Sequence, residues 1–237
     1  MPEDPMLAHL AEVGTHNAEA LDDVADLVLA CIRAEGLVLT AGAGHSLAAV
    51  AETFFRAGGL ACVHPLYHED LQVFGSTRRA VESERRPGLA RGVFGQLRLS
   101  GHDVLFLFSN SGVNHYPVEL AIAAIDAGCP VVAVTSLAAT TAAPRRAGST
   151  VAQNSTIVLD TLTEPGDVSY PEKNAVTASL SSLSNVYLWN QVLVRLFDRA
   201  ERDGFALPLW RSSNVEGGDE ANALLIERYG PRIPPLS

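Results

Sequence analysis

The chain has 237 residues, 47% of them apolar and 19% charged, with a formal net charge of −10. That length and apolar content allow a large α/β core and exclude wholesale disorder. The acidic balance excludes a protein built to neutralise nucleic-acid phosphates, although one local loop can still hold a single phosphate group.

Basic charge is carried almost wholly by arginine, Lys173 being the only lysine. Cys31, Cys62 and Cys129 lie inside apolar runs with no paired or zinc-like spacing, which predicts buried thiols in a reducing compartment. The acidic start lacks the apolar core of a signal peptide, and no run approaches the ~20 apolar residues that cross a bilayer. A soluble cytoplasmic protein without membrane partners is expected.

Residues 6–34 read as one long helix or two, with an apolar stripe through Leu10, Val13, Leu21, Val24 and Val28, and Gly36 follows as a C-cap. A first strand is predicted at 37–41, then the glycine-rich turn Ala41-Gly-Ala-Gly-His-Ser46 and a helix from about 46 to 57. Leu60–Leu66 reads as a second strand. The polar stretch 67–102 reads as a functional loop with short helices. A third strand at 103–109 ends abruptly in Ser109, Asn110, Ser111, Gly112 and Asn114, and a helix follows from about 116 to 127. Val131–Ser136 is a fourth strand, 137–154 a small-residue loop holding Arg145-Arg146, and 156–160 a fifth strand. A long helix from about 175 to 202 and a shorter one after Gly217-Gly218 complete the chain. Strands alternating with helices predict an all-parallel sheet covered on both faces.

A buried strand that runs into a short polar loop and a helix collects free backbone N–H groups at the positive end of a helix dipole, which suits a phosphate. The same residues also make an ordinary capped turn without a ligand. The glycine-rich turn after the first strand adds a second such junction, and two of them in one parallel sheet converge on one crevice.

These residues carry a resemblance to the sugar isomerase (SIS) domain. Gly42-x-Gly44-His-Ser46 resembles the family's first loop. Ser109-Asn-Ser111-Gly-Val-Asn114 resembles its Ser-x-Ser-Gly-x-Thr/Asn phosphosugar loop, and Val131–Ser136 matches the strand that follows. Phe55-Arg-Ala-Gly-Gly59, Glu84-Arg-x-x-Gly-Leu-Ala90 and Asn214-Val-x-Gly-Gly-Asp219 are similar to a bacterial branch of phosphoheptose-like isomerases. The resemblance implies a three-layer α-β-α sandwich with a five-stranded parallel, flavodoxin-like sheet. It also implies a single SIS domain, with a helical segment to about residue 35, a core to about 203 and an extension to 237. It further implies a homodimer or homotetramer with sites near subunit contacts.

The resemblance makes the expected ligand a sugar phosphate, held by Ser46, Ser109, Asn110, Ser111, Gly112 and Asn114. The sugar is placed against Gly44, His45, Ser136 and Glu84, and His45 reads equally as a loop brace. Phosphoheptose isomerases carry a His/Glu set on the helix after the first loop. This chain has Glu52 and Arg56 there, so no metal and no other cofactor is expected.

Aldose–ketose isomerisation needs a proton-moving base and a ring-opening acid. Glu52 is a candidate base, or else an i+4 partner of Arg56. His68 falls where glucosamine-phosphate isomerase domains carry their ring-opening histidine. Glu69 beside it is a second candidate base, the alternative being two solvated loop residues. Glu84 and Arg85 read as a lid or as a solvated charge run. Glu164 and Asp167 read as sugar contacts or as a plain turn. The expected activity is a phosphosugar isomerase. The alternatives are a phosphosugar sensor without chemistry, and an amino-sugar phosphate lyase or deaminase.

Overall fold

A computed structural model describes residues 4–237; the acidic start at 1–3 lies outside the described residues. The chain opens with two helices, α1 (Pro5–His16) and α2 (Ala18–Arg33). Asp4 caps α1 through its side chain, and the break between the helices falls at Asn17. The Asn17 amide turns inward, donating to the Asp160 carbonyl (2.8 Å) and accepting the Asp160 N–H (2.7 Å).

Five strands follow: β1 (Val38–Gly42), β2 (Val63–Leu66), β3 (Val104–Phe108), β4 (Val131–Thr135) and β5 (Ile157–Asp160). Every neighbouring pair is parallel, and their order is β2-β1-β3-β4-β5. All residues of β1, β3 and β4 are buried, as an all-parallel sheet covered on both faces requires. The order reverses direction between β1 and β3, so the loops leaving those two strands at their carboxyl ends bound a crevice.

Helices α3 (Leu47–Thr53), α4 (Thr77–Arg85), α5 (Leu89–Phe94), α6 (His115–Asp126), α7 (Leu137–Ala142), α8 (Ser181–Arg202) and α9 (Gly218–Tyr229) complete the architecture. On one face α2 packs against α8. Trp189 of α8 meets Phe106 of the central strand edge to face, with ring centroids 5.1 Å apart. Asp103, buried just before β3, accepts the N–H groups of Leu37 (2.7 Å) and Ser100 (2.8 Å). The last 35 residues are stitched to the β2 side by paired backbone bonds between Trp210 and Gly58-Gly59.

Several boundaries differ from the sequence expectation. The helix after β1 is a 3₁₀ turn at Gly44–Ser46 followed by α3, which stops at Thr53 instead of 57. The second strand begins at Val63, because Leu60 instead bridges Leu209 of the C-terminal segment. Residues 137–142 are helical where a loop was expected. Ser136 caps this helix by accepting the Ala139 N–H at 2.9 Å. The long helix starts at Ser181 and not 175, because the Asp167 carboxylate captures the Ser181 N–H at 2.9 Å.

Candidate functional site

The loops after β1 and β3 border a cavity of about 690 Å³. One wall is the Gly44–Ser46 turn; the opposite wall is Ser109, Asn110, Ser111 and Asn114. Thr77, Ala80, Val81 and Glu84 of α4 close a third side, and α7 with residues 165–167 closes a fourth.

The β3–α6 loop is shaped by Gly112, which has φ +58°. A Cβ there would lie 3.0 Å from Thr135 Oγ1 and 3.3 Å from Thr140 Oγ1, so glycine satisfies both the left-handed backbone and the tight packing. Its carbonyl accepts the Val151 N–H at 2.8 Å, which fastens the loop from behind. The N–H groups from Asn110 to Asn114 bond to no other described residue, and neither do the hydroxyls of Ser46, Ser109 and Ser111. At the start of α6, such a row of backbone dipoles and hydroxyls has the donors an anion site requires.

The two asparagine side chains of the loop are committed elsewhere. Asn110 Oδ1 accepts from Thr161 (3.2 Å) and Thr163 (2.7 Å), tying the loop to the end of β5. Asn114 accepts from Arg146 Nη1 at 3.0 Å and donates to Glu84 Oε1 at 2.7 Å. Arginine has only donors, so the amide oxygen must face Arg146 and the amide nitrogen must face Glu84. Asn114 thus has both ends of its amide engaged, whereas Asn110 keeps its Nδ2 donor unengaged.

The cavity has two lining carboxylates, Glu84 and Asp167, and one imidazole, His45. Asp167 has both oxygens engaged: Oδ1 accepts from the N–H groups of Leu180 and Ser181, and Oδ2 from the Ser181 hydroxyl (2.5 Å). Glu84 keeps Oε2 unengaged. Burial is the main influence on its carboxyl and raises its pKa. The Asn114 hydrogen bond and the charges of Arg85 and Arg146 offset only part of that rise.

Glu52, His68 and Glu69 are not among the lining residues. Glu52 is ion-paired with Arg56, one turn further along the chain. His68 Nδ1 accepts the Asp70 N–H at 3.2 Å and so caps a short 3₁₀ turn, while Glu69 is exposed. Ser136, expected against the sugar, is fully buried, and its hydroxyl donates to the Thr163 carbonyl at 2.6 Å. Among the described residues no three His, Cys, Asp or Glu side chains gather as a metal site. Of the α4 wall only Glu84 was expected at the site; Thr77, Ala80 and Val81, and Arg146 behind Asn114, were not anticipated. Ser76, which accepts the Arg79 N–H at 3.3 Å, is the local capping signal that marks where α4 begins.

Residues 3–136 match the SIS domain profile. The chain is 32% identical over 232 residues to UPF0309 protein GK1441 of Geobacillus kaustophilus, covering 96% of this chain and 92% of that protein. It is 31% identical over 201 residues to UPF0309 protein Teth39_1980 of Thermoanaerobacter pseudethanolicus, covering 82% and 81%. In fold it is similar to the phosphoheptose isomerase GmhA of Neisseria gonorrhoeae, with TM-score 0.53 and 18% identity over 81% of this chain and 93% of that one. The sugar isomerase domain of an RpiR transcription factor from Sphaerobacter thermophilus is equally similar, with TM-score 0.53 and 14% identity over 96% and 94%. The two loops at the switch in strand order, the profile match across them and the near full-length relatives agree: the chain belongs to the SIS domain family and, within it, to the UPF0309 proteins.

Proposed function

We propose that the protein binds a sugar phosphate in the β1/β3 crevice and interconverts its aldose and ketose forms. The observation that carries this reading is the run of unpartnered N–H groups from Asn110 to Asn114, flanked by the free hydroxyls of Ser46, Ser109 and Ser111. The phosphate sits there, and the sugar extends past Gly44 and His45 towards α4. A volume of about 690 Å³ accommodates a phosphorylated monosaccharide. The family's phosphoheptose isomerase supports the reaction class. Free buried cysteines suit a cytoplasmic location, and the exposed Phe74, Val176 and Leu224 suit a homodimer or homotetramer.

The test is incubation with pentose, hexose, heptose and amino-sugar phosphates in deuterated water, read by NMR. Deuterium at C2 together with an aldose–ketose shift supports isomerase chemistry and names the substrate. One observation favours a second reading, a binding-only sensor: Glu52, His68 and Glu69 do not line the cavity. Saturable binding without exchange for any sugar supports that reading instead.

A further inference from the structure

We propose that Glu84, carried into the cavity by the polar insert between β2 and β3, is the acid–base group that moves the proton between C1 and C2. This rests on the isomerase reading above. Three observations single it out. Of the two lining carboxylates, Asp167 has its oxygens taken up in capping α8, whereas Glu84 has one oxygen free. Glu84 stands directly beside the anion loop, hydrogen-bonded to Asn114, the residue that opens α6. Its carboxyl is held in a single orientation by a relay from Arg146 through Asn114.

The chemistry balances without a co-reactant. Glu84 takes the proton from C2 of the open-chain aldose. The C2–H electron pair becomes the C1=C2 bond, and the former carbonyl oxygen O1 becomes anionic. The O2 hydroxyl proton shifts to O1. The O2 electron pair then forms the C2=O bond, while C1 takes back the proton from Glu84. The carboxylate ends as it began, and the sugar has exchanged an aldehyde for a ketone.

The charged groups that act on Glu84 are Arg85 on its own helix and Arg146 from the loop after α7. The elements packed against α4 also carry Asp70, paired with Arg79 of α4 itself at 3.4 Å, His115, paired with Glu119 at 3.1 Å, and Glu69 and Asp126, which form no ion pair among the described residues. Burial outweighs the two arginines, so the carboxyl gives up and regains its proton closer to neutrality than an exposed one does.

The experiment compares wild type, Glu84→Gln and Glu84→Asp for binding of the sugar phosphate that wild type converts, and for C2 deuterium exchange. Glu84→Gln is expected to bind within about threefold of wild type, because the anion loop is intact, and to lose exchange by about a thousandfold. Glu84→Asp is expected to recover part of that loss, with its acid limb shifted along the pH axis. Exchange at the wild-type rate in Glu84→Gln overturns the assignment and leaves the isomerase reading standing. Wild type that binds every candidate sugar yet exchanges none overturns the isomerase reading, and this assignment falls with it. Should Glu84→Gln not fold, Glu84→Asp with an unmoved pH profile overturns the assignment equally.

Discussion

Asn17 closes both ends of its side-chain amide on the backbone of Asp160, 143 positions away in sequence. It thereby imitates a strand neighbour for β5, the outermost strand on that side of the sheet. The kink between α1 and α2 and the edge of the sheet are thus one feature, and Asp160 is free to turn its own carboxylate to the N–H groups of Leu137 (3.2 Å) and Leu162 (3.0 Å).

Replacing Asn17 with Ala removes both bonds and leaves a buried N–H and C=O unpaired. The expected loss is about 2 to 3 kcal/mol of folding free energy. A urea titration with unchanged m-value and a lower midpoint checks it.

Gly112→Ala is expected to cost about 1–3 kcal/mol, because alanine is strained at φ +58° and its Cβ presses on Thr135. Loop distortion should also weaken sugar-phosphate binding. Titration calorimetry beside a thermal scan separates the two effects.

Ser111→Trp fills the space in front of the unpartnered N–H groups. Binding is expected to fall by more than about a hundredfold, or roughly 2.8 kcal/mol. Ser111 is partly exposed and bonds to nothing, so the melting temperature should hardly move. Unchanged affinity would mean that this loop does not hold the phosphate.

Arg146→Gln withdraws a charge that lowers the Glu84 pKa. The carboxyl then protonates at higher pH, and the acid limb of the rate profile moves upward. A lower plateau with an unmoved limb would make Arg146 a structural brace only.

Stability gives an independent reading of the same carboxyl. Its folded pKa is raised, so its stabilising contribution is complete below the unfolded carboxylate range and disappears as pH rises through the folded value. Glu84→Gln is therefore expected to be more stable than wild type at neutral pH, with the gap closing below about pH 4. Thermal unfolding across that range measures it.

Much of the frame is legible in the residues. Val104–Phe108 and Val131–Thr135 are unbroken apolar runs between turn residues, and a buried parallel strand has no other appearance. The serine-rich loop is legible because Ser, Gly and Asn at a strand-to-helix junction leave backbone N–H groups exposed. Residues 137–142 were hidden, since Leu-Ala-Ala-Thr-Thr-Ala has no apolar stripe to betray a helix. The start of α8 was hidden because its cap, Asp167, lies 14 residues upstream. The fates of Glu52 and His68 were illegible for a related reason. Partner choice decides where a carboxylate or imidazole points, and these two side chains engage Arg56 and the Asp70 N–H.

The anion loop hangs from the middle of the sheet, held by Thr135, Val151 and Thr163, whereas Glu84 arrives on a helix inserted between neighbouring strands of the sequence. The proposed phosphate grip and the proposed acid–base group therefore come from separable stretches of chain. On that proposal, substituting a different insert between β2 and β3 would present another reactive group to a ligand held by the same loop. In a scaffold organised this way, a new reaction requires rebuilding one insert and leaves the strands untouched.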